Sequence, residues 1–171
     1  MVPLKSVLIK KVLFCLKQKL VTKFACHGEF LKFPSSQELR TLVDENFEKY
    51  NLPDMAYGVD GCHFIFEDKP RGLPPGRNHD QFMNRKNRPS LNVQLIGGTN
   101  QLIFDVDFRC PGRMHDAKVW RYSQGKQYVE QRWPRFLLVG DKGYPKSTVL
   151  VTPYTEAEAG MDESKRLFNL R

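Results

Sequence analysis

Several features that mark specialised classes of protein are missing from this sequence of 171 residues. No apolar run reaches the roughly 20 residues that a bilayer-spanning helix needs. The four cysteines (Cys15, Cys26, Cys62 and Cys110) include no C-x-x-C pair, so we expect reduced, intracellular thiols rather than a disulfide framework. Internal repeats, low-complexity tracts and a phosphate-loop motif are absent, and without G-x-S-x-G a serine hydrolase has no support.

The composition is that of an ordinary globular protein, with 40% hydrophobic and 27% charged residues. The length suits one domain with a real core and is short for two. The formal net charge is +8, which favours polyanionic partners, with nucleic acid ahead of an anionic membrane surface.

Residues 1–24 are predicted to form a basic amphipathic helix, because apolar residues recur at helical spacing and lysines occupy the other face. Three interpretations stay open: a helix packed on the domain, a remnant of an upstream domain, or a membrane-surface or targeting helix. The remainder, residues 25–171, is predicted to be one domain.

Local patterns predict a helix followed by a mixed sheet. Ser35 and Glu38 form a capping box, which predicts a helix with a buried stripe of Leu39, Leu42, Val43 and Phe47. Strands are predicted over residues 56–66, 90–96, 101–109, 136–139 and 149–151, with a hairpin turn at 97–100. In the third strand we expect Asp105 and Asp107 to be surface residues. Residues 155–162 are predicted to be an acidic loop, followed by a helix from Glu163.

Asp60 is the residue that most requires an explanation. It lies within an apolar, strand-like run, where a lone carboxylate is costly to desolvate unless a partner or a metal compensates. Asp116 and Asp141 follow later strands and could join it around a divalent metal at one edge of the sheet. The alternative is that each aspartate merely caps a turn, and Asp116 also suits the first turn of a helix.

Residues 67–88 form a long segment rich in proline, glycine and basic side chains, with Phe82 among them. Such a segment could grip a phosphate backbone, or it could be a solvated hairpin over the sheet. Cys62-His63 is a poor zinc chelate, since neighbouring residues on a strand point to opposite faces.

Five motifs occur in order along the chain: Gly58-Val59-Asp60-Gly61-Cys62-His63, Asn84-Arg85-Lys86, Ser90-Leu91-Asn92-Val93-Gln94, Cys110-Pro111-Gly112-Arg113-Met114-His115-Asp116 and Gly140-Asp141-Lys142-Gly143-Tyr144-Pro145. Together they resemble the PIF/Harbinger family of transposases and its domesticated nuclease relatives. The resemblance implies an α/β fold of the ribonuclease H-like type, with a mixed five-stranded sheet flanked by helices and the last helix incomplete.

The same resemblance implies a DDE-type nuclease that cleaves DNA phosphodiesters with Mg²⁺ or Mn²⁺. Asp60 and Asp141 match the catalytic aspartates, and Asp116 would join them as a metal ligand. His115 would hold the scissile phosphate or support Asp116. Candidate DNA-binding residues are Arg77, Arg85, Lys86, Arg88 and His115.

The sequence also departs from that family. The family's catalytic glutamate would lie beyond Arg171, and Lys142 stands where a small residue is usual, which would place a cation beside the metal. We therefore keep as the alternative a catalytically inactive remnant that binds DNA or protein, or a chain that does not fold stably. Expected partners are DNA and a protein supplying a DNA-binding domain, and the expected location is the nucleus, with the cytoplasm also open.

Overall fold

A computed structural model describes residues 31, 33–68, 78–100 and 102–170. The helix predicted over residues 1–24 and the candidate DNA-binding residue Arg77 lie outside the described residues. In the described ranges no helix is long and apolar enough to cross a membrane.

The described chain forms a mixed five-stranded sheet with helices packed against it. The strands are β1 (Met55–Ile65), β2 (Ser90–Gly98), β3 (Ile103–Pro111), β4 (Leu137–Val139) and β5 (Leu150–Val151), and their order across the sheet is β3-β2-β1-β4-β5. β1 pairs antiparallel with β2 and parallel with β4, and β4 pairs parallel with β5. This arrangement confirms the predicted α/β fold of the ribonuclease H-like type.

The helices are α1 (Ser36–Tyr50), α2 (Asp116–Tyr122), α3 (Gln124–Arg132), α4 (Glu156–Gly160) and α5 (Glu163–Leu170), and a short 3₁₀ helix spans His79–Phe82. The prediction of an acidic loop at residues 155–162 was wrong, because α4 lies within this segment. Thr155 caps α4 in a reciprocal capping box with Glu158, which supplies acceptors to the free backbone N–H groups of a first turn.

The main hydrophobic core lies between the helices and the sheet. Tyr57, Trp120, Val129 and Leu138 are at most 1% exposed there, and Trp133 packs its ring 5.4 Å from that of Tyr57. A second, smaller cluster forms on the other side of β2 around three buried residues, Cys62, Val93 and Leu95. Because Cys62 belongs to this cluster, it points away from the core side of β1.

The capping box of α1 is confirmed: Ser35 Oγ accepts from Glu38 N at 3.3 Å, and Glu38 Oε2 accepts from Ser35 N at 2.7 Å. The predicted burial of Phe47 was wrong, since this ring is 49% exposed. Asn46 takes the buried position instead and donates from Nδ2 to Met55 O at 2.9 Å. Residues 39, 42 and 46 follow a helical spacing, so a hydrogen-bonded amide completes the buried stripe.

The prediction that Asp105 and Asp107 are surface residues was also wrong. Asp107 is 6% exposed and binds Arg109 through Oδ1, 3.0 Å from Nε, while Asp105 is half-buried. The pairing of β2 with β3 shifts register twice, between Asn92 and Gln94 and between Ile96 and Gly97. Each irregularity breaks the strict alternation of faces, so the simple period of two fails along β3.

Candidate active site

An opening lies beside the C-terminal half of β1, where this strand is no longer paired with β4. β4 pairs with β1 only as far as Gly58, which lies opposite Val139. Asp60 and Asp141 each come two residues after this last pair, so parallel strands bring both to the same edge of the sheet. β2 continues to pair with β1 up to Ile65 and supports the floor of the opening.

Asp116 reaches the same place from the first turn of α2, after β3 has ended at Pro111. All three predicted carboxylates line one cleft of about 710 Å³. His115 caps α2 without a side-chain hydrogen bond to the helix, and its side chain lines the cleft as well. The structure therefore brings together side chains that are distant in the sequence.

Two glycines make room for Asp116. A Cβ atom built on Gly61 would meet Asp116 Oδ1 at 2.3 Å, and one built on Gly143 would meet Asp116 Oδ2 at 3.4 Å and Asp141 Oδ1 at 3.0 Å. Asp116 thus lies between the residue that follows Asp60 and the loop that carries Asp141. A side chain at position 61 would displace it.

Each carboxylate has one oxygen held by a hydrogen bond. Gly61 N donates to Asp60 Oδ1 at 2.8 Å, Gly143 N donates to Asp141 Oδ1 at 2.7 Å, and Asn92 Nδ2 donates to Asp116 Oδ1 at 2.8 Å. Among the described residues, the second oxygen of each group accepts no hydrogen bond. Three carboxylate oxygens are therefore available to a cation, the type of ligand that Mg²⁺ and Mn²⁺ prefer.

The pKa of Asp60 reflects the closeness of the three carboxylates. Its pKa is raised to about 7, mainly by burial and also by the charges of Asp141 and Asp116, while the hydrogen bond from Gly61 acts in the opposite direction. Clustered carboxylates repel each other and disfavour full ionisation. A divalent cation would relieve that repulsion.

Tyr144 lies next to this acidic group and is 4% exposed. Its buried hydroxyl has no partner among the described residues. Burial raises the pKa of Tyr144 well above its usual value, and the charges of Asp116, Asp60 and Asp141 raise it further. Because buried hydroxyls nearly always have a hydrogen-bond partner, an orphaned one beside three carboxylates suits a site that also takes an ion and water.

The residues fit a divalent cation held partly by water or substrate better than one enclosed by protein. Within the described ranges, no set of three or more histidine, cysteine, aspartate or glutamate side chains is arranged to hold a metal ion. Mg²⁺ commonly binds through one or two carboxylates together with water and substrate phosphates. The assignment of Asp60, Asp116 and Asp141 as ligands stays a prediction.

The predicted DNA-binding residues divide into two groups. Arg85 and His115 line the cleft, whereas Lys86 and Arg88 are exposed on the same turn and do not line it. The turn itself is ordered by Asn84, whose Oδ1 accepts from Lys86 N at 2.9 Å and from Arg88 N at 3.2 Å. The described part of the basic segment therefore has a defined conformation held by hydrogen bonds.

Sequence reasoning did not select six further polar residues that line the cleft: His63, Asp80, Asn84, Asn87, Asn92 and Arg113. The alternation along β1 was a usable signal, since Gly61 and His63 share a face and Cys62 takes the other. The structure also corrects the expectation for Lys142. Its ammonium lies 3.9 Å from Glu156 Oε1, and Lys142 does not line the cleft.

Comparison with known proteins agrees with this geometry. Residues 59–171 match the model of a family described as DDE superfamily endonuclease. The chain is similar to the rat protein named "Putative nuclease HARBI1", with 25% identity over 128 residues, and to the human protein of that name, with 24% identity over 128 residues. Each match covers 74% of this chain and 35% of the relative, so the chain spans about a third of these curated relatives.

No solved structure matches the chain. The family match covers more than half of the sequence and includes Asp60, Asp116 and Asp141. The resemblance inferred from the five motifs is therefore confirmed, and the chain belongs to the DDE superfamily endonuclease family.

Proposed function

We propose that this chain is a divalent-metal-dependent nuclease domain that hydrolyses DNA phosphodiesters. The convergence of Asp60, Asp116 and Asp141 on one cleft carries the proposal. Arginines and histidines line the same cleft, as a site for a phosphate backbone requires. The net charge of +8 favours the same substrate.

The three aspartates would supply ligands to Mg²⁺ or Mn²⁺ through the oxygens that accept no hydrogen bond from the described residues, and water or substrate phosphate would complete the coordination. When bound, the cation makes a nearby water more acidic and offsets the charge that develops on the phosphate. Asp60 and Asp141 orient the site through strands of the rigid sheet, and Gly61 N and Gly143 N fix one oxygen of each. Arg85 and Arg113 attract the backbone, and His115 holds the scissile phosphate or supports Asp116.

The test is nicking of supercoiled DNA by the full chain in Mn²⁺, with Asp60→Asn, Asp116→Asn and Asp141→Asn as variants. Asp44→Asn is the control, because Asp44 is an exposed carboxylate on α1, away from the cleft. We expect each site variant to lose about 100-fold or more in rate, since the metal contributes several kcal/mol to transition-state stabilisation. Chelator should abolish nicking by the unchanged chain.

Two outcomes would contradict the proposal. Nicking that survives in Asp60→Asn would refute the site assignment. Salt-sensitive DNA binding without nicking at any Mn²⁺ concentration would instead identify a catalytically inactive binding module.

We also propose that a partner protein supplies a DNA-binding domain and that the chain acts in the nucleus. Both are implied by the resemblance to Harbinger transposases and rest on a DNA substrate. Co-purification of a DNA-binding protein with the tagged chain tests the first, and imaging of a fluorescent fusion tests the second.

A further inference from the structure

The ring of His63 lines the cleft and also hydrogen-bonds to a buried polar network. It lies on β1, two residues beyond Gly61 and on the same face, opposite Asn92 of β2. Its Nδ1 lies 3.1 Å from Ser90 Oγ, and Ser90 is 0% exposed. The ring also lines the cleft, and Nε2 has no hydrogen-bond partner among the described residues.

Asn84 determines how Ser90 can hydrogen-bond. Its Oδ1 already accepts from Lys86 N and Arg88 N, so Nδ2 is the amide group that faces Ser90, 3.2 Å from Oγ. Nδ2 can only donate, and Ser90 Oγ therefore accepts this bond. The hydroxyl hydrogen of Ser90 must be donated elsewhere.

Within the described parts of the chain, Nδ1 of His63 is the only acceptor found for that hydroxyl hydrogen. Nδ1 must then be unprotonated, and a neutral imidazole carries its proton on Nε2. The neutral form is also favoured electrostatically. Burial lowers the pKa of His63, and the charges of Arg85 and Lys86 lower it further, although Asp116 acts in the opposite direction.

We propose that His63 contacts the substrate, donating its Nε2–H to a non-bridging oxygen of a backbone phosphate in the cleft. Ser90 and Asn84 are positioning residues: the first fixes the tautomer and the ring, and the second fixes Ser90. Asn84 also orders the turn that carries Arg85. Its buried amide therefore helps to position both the neutral donor, His63, and the cation, Arg85, along the cleft. The proposal rests on the proposed function in taking nucleic acid as the substrate.

The decisive experiment compares two substitutions at position 63. Asparagine can replace Nδ1 and keep the bond to Ser90, but its amide does not reach the position of Nε2. Glutamine is longer and can place an amide N–H near that position. His79→Asn is the matched control, because His79 is exposed on the 3₁₀ helix and does not line the cleft.

Binding of the full chain to a labelled DNA duplex is measured in chelator, so that no cleavage is needed. We expect His63→Asn to weaken binding about tenfold, as for the loss of a hydrogen bond to a charged group. His63→Gln should stay within about threefold of the unchanged chain, and His79→Asn should equal it. Thermal unfolding of each variant verifies that it is folded.

Equal binding by His63→Asn and the unchanged chain would overturn the proposal. Equal losses in folded His63→Asn and His63→Gln would also overturn it, because the Nε2–H would not be the determinant. If the unchanged chain binds but never nicks, the proposed nuclease function fails and the inference stands. If Asp60→Asn abolishes nicking and His63→Asn both binds and nicks normally, only the inference fails.

Ser90→Ala tests the positioning role separately. The ¹⁵N chemical shifts of the His63 ring should show the Nε2–H tautomer in the unchanged chain and a mixture of tautomers in Ser90→Ala. A purely structural role for Ser90 would change the unfolding midpoint and leave the tautomer unchanged. That result would contradict the assignment of Ser90 as a positioning residue.

Discussion

The two halves of β1 belong to different environments although they form one continuous strand. Residues Met55–Val59 lie mostly inside the core, with β2 on one side and β4 on the other. The half that runs from Asp60 to His63 keeps β2 but has lost β4, and it lines the cleft with a carboxylate and an imidazole. Where β4 stops, the strand changes from a core element to the floor of a site.

The difference shows how a small sheet can hold charges without losing its core. Backbone hydrogen bonds to β2 continue across both halves, so the floor of the cleft keeps strand pairing on one side. Along β1, the carboxylate and the imidazole occur only in the half where β4 is absent and solvent or ligand can reach them. The comparison predicts that equivalent changes in the two halves will have different effects.

The largest effect is expected in the core half. Met55→Ala should lower the free energy of unfolding by about 2–5 kcal/mol, because Met55 is 2% exposed and its removal leaves a cavity. Urea denaturation measures this change. Ile65→Ala is the control on the same strand, since Ile65 is 40% exposed, and equal losses in the two variants would contradict the contrast.

In the cleft half, removing a charge should stabilise the protein. The pKa of Asp60 is raised from 3.8 to about 7, first by burial and then by Asp141 and Asp116. The folded state therefore retains a proton that the unfolded state has lost, and stability falls as pH rises from about 4 to about 7. Asp60→Asn removes this penalty and should be more stable above pH 7 in chelator, by at most about 4 kcal/mol.

The control for Asp60→Asn is to repeat the comparison of the variant with the unchanged chain at low pH. Below about pH 3, Asp60 is mostly protonated in both states, so the variant and the unchanged chain should unfold at similar urea concentrations. Mg²⁺ at pH 8 should stabilise the unchanged chain and reduce the advantage of the variant. A constant difference at all pH values would show that the charge of Asp60 is not the cause.

A third contrast uses the two glycines of β1. Gly61→Ala should cost about 1–3 kcal/mol, because the new methyl group would lie 2.3 Å from Asp116 Oδ1 and 3.0 Å from Asn92 Oδ1. Gly58→Ala should be nearly neutral, since its nearest neighbour is Val139 O at 3.4 Å. Urea denaturation of both variants checks the difference, and equal stabilities would mean that Asp116 can move away from Gly61 easily.

Sequence reasoning succeeded where the interactions are local or carried by a motif. The capping box of Ser35 and Glu38 spans only three residues, so its chemistry is visible in the sequence. Asp60 was recognisable because a lone carboxylate in an apolar strand is costly. The convergence of three aspartates followed from where the strands were predicted to end.

The failures have a common physical origin in tertiary pairing. The exposure of Asp105 and Asp107 was mispredicted because the register shifts of β3 depend on its pairing with β2, which a period of two does not encode. The hydrogen bond between His63 and Ser90 joins residues 27 positions apart, and neither residue type indicates this bond in the sequence. Asn46 replaced Phe47 in the core because two backbone carbonyls of β1 accept its amide.

The smallest effect is expected at Lys142. The comparison distinguishes this residue from Asp141, its neighbour in the same loop. Asp141 lines the cleft, whereas Lys142 is exposed and lies near Glu156. Since such surface pairs contribute little, Lys142→Ala should leave both the unfolding midpoint and its increase with Mn²⁺ unchanged. Asp141→Asn should remove that Mn²⁺-dependent increase. If Lys142→Ala instead strengthens Mn²⁺ binding, the ammonium must approach the carboxylates in solution, and the loop would present both charges to the cleft.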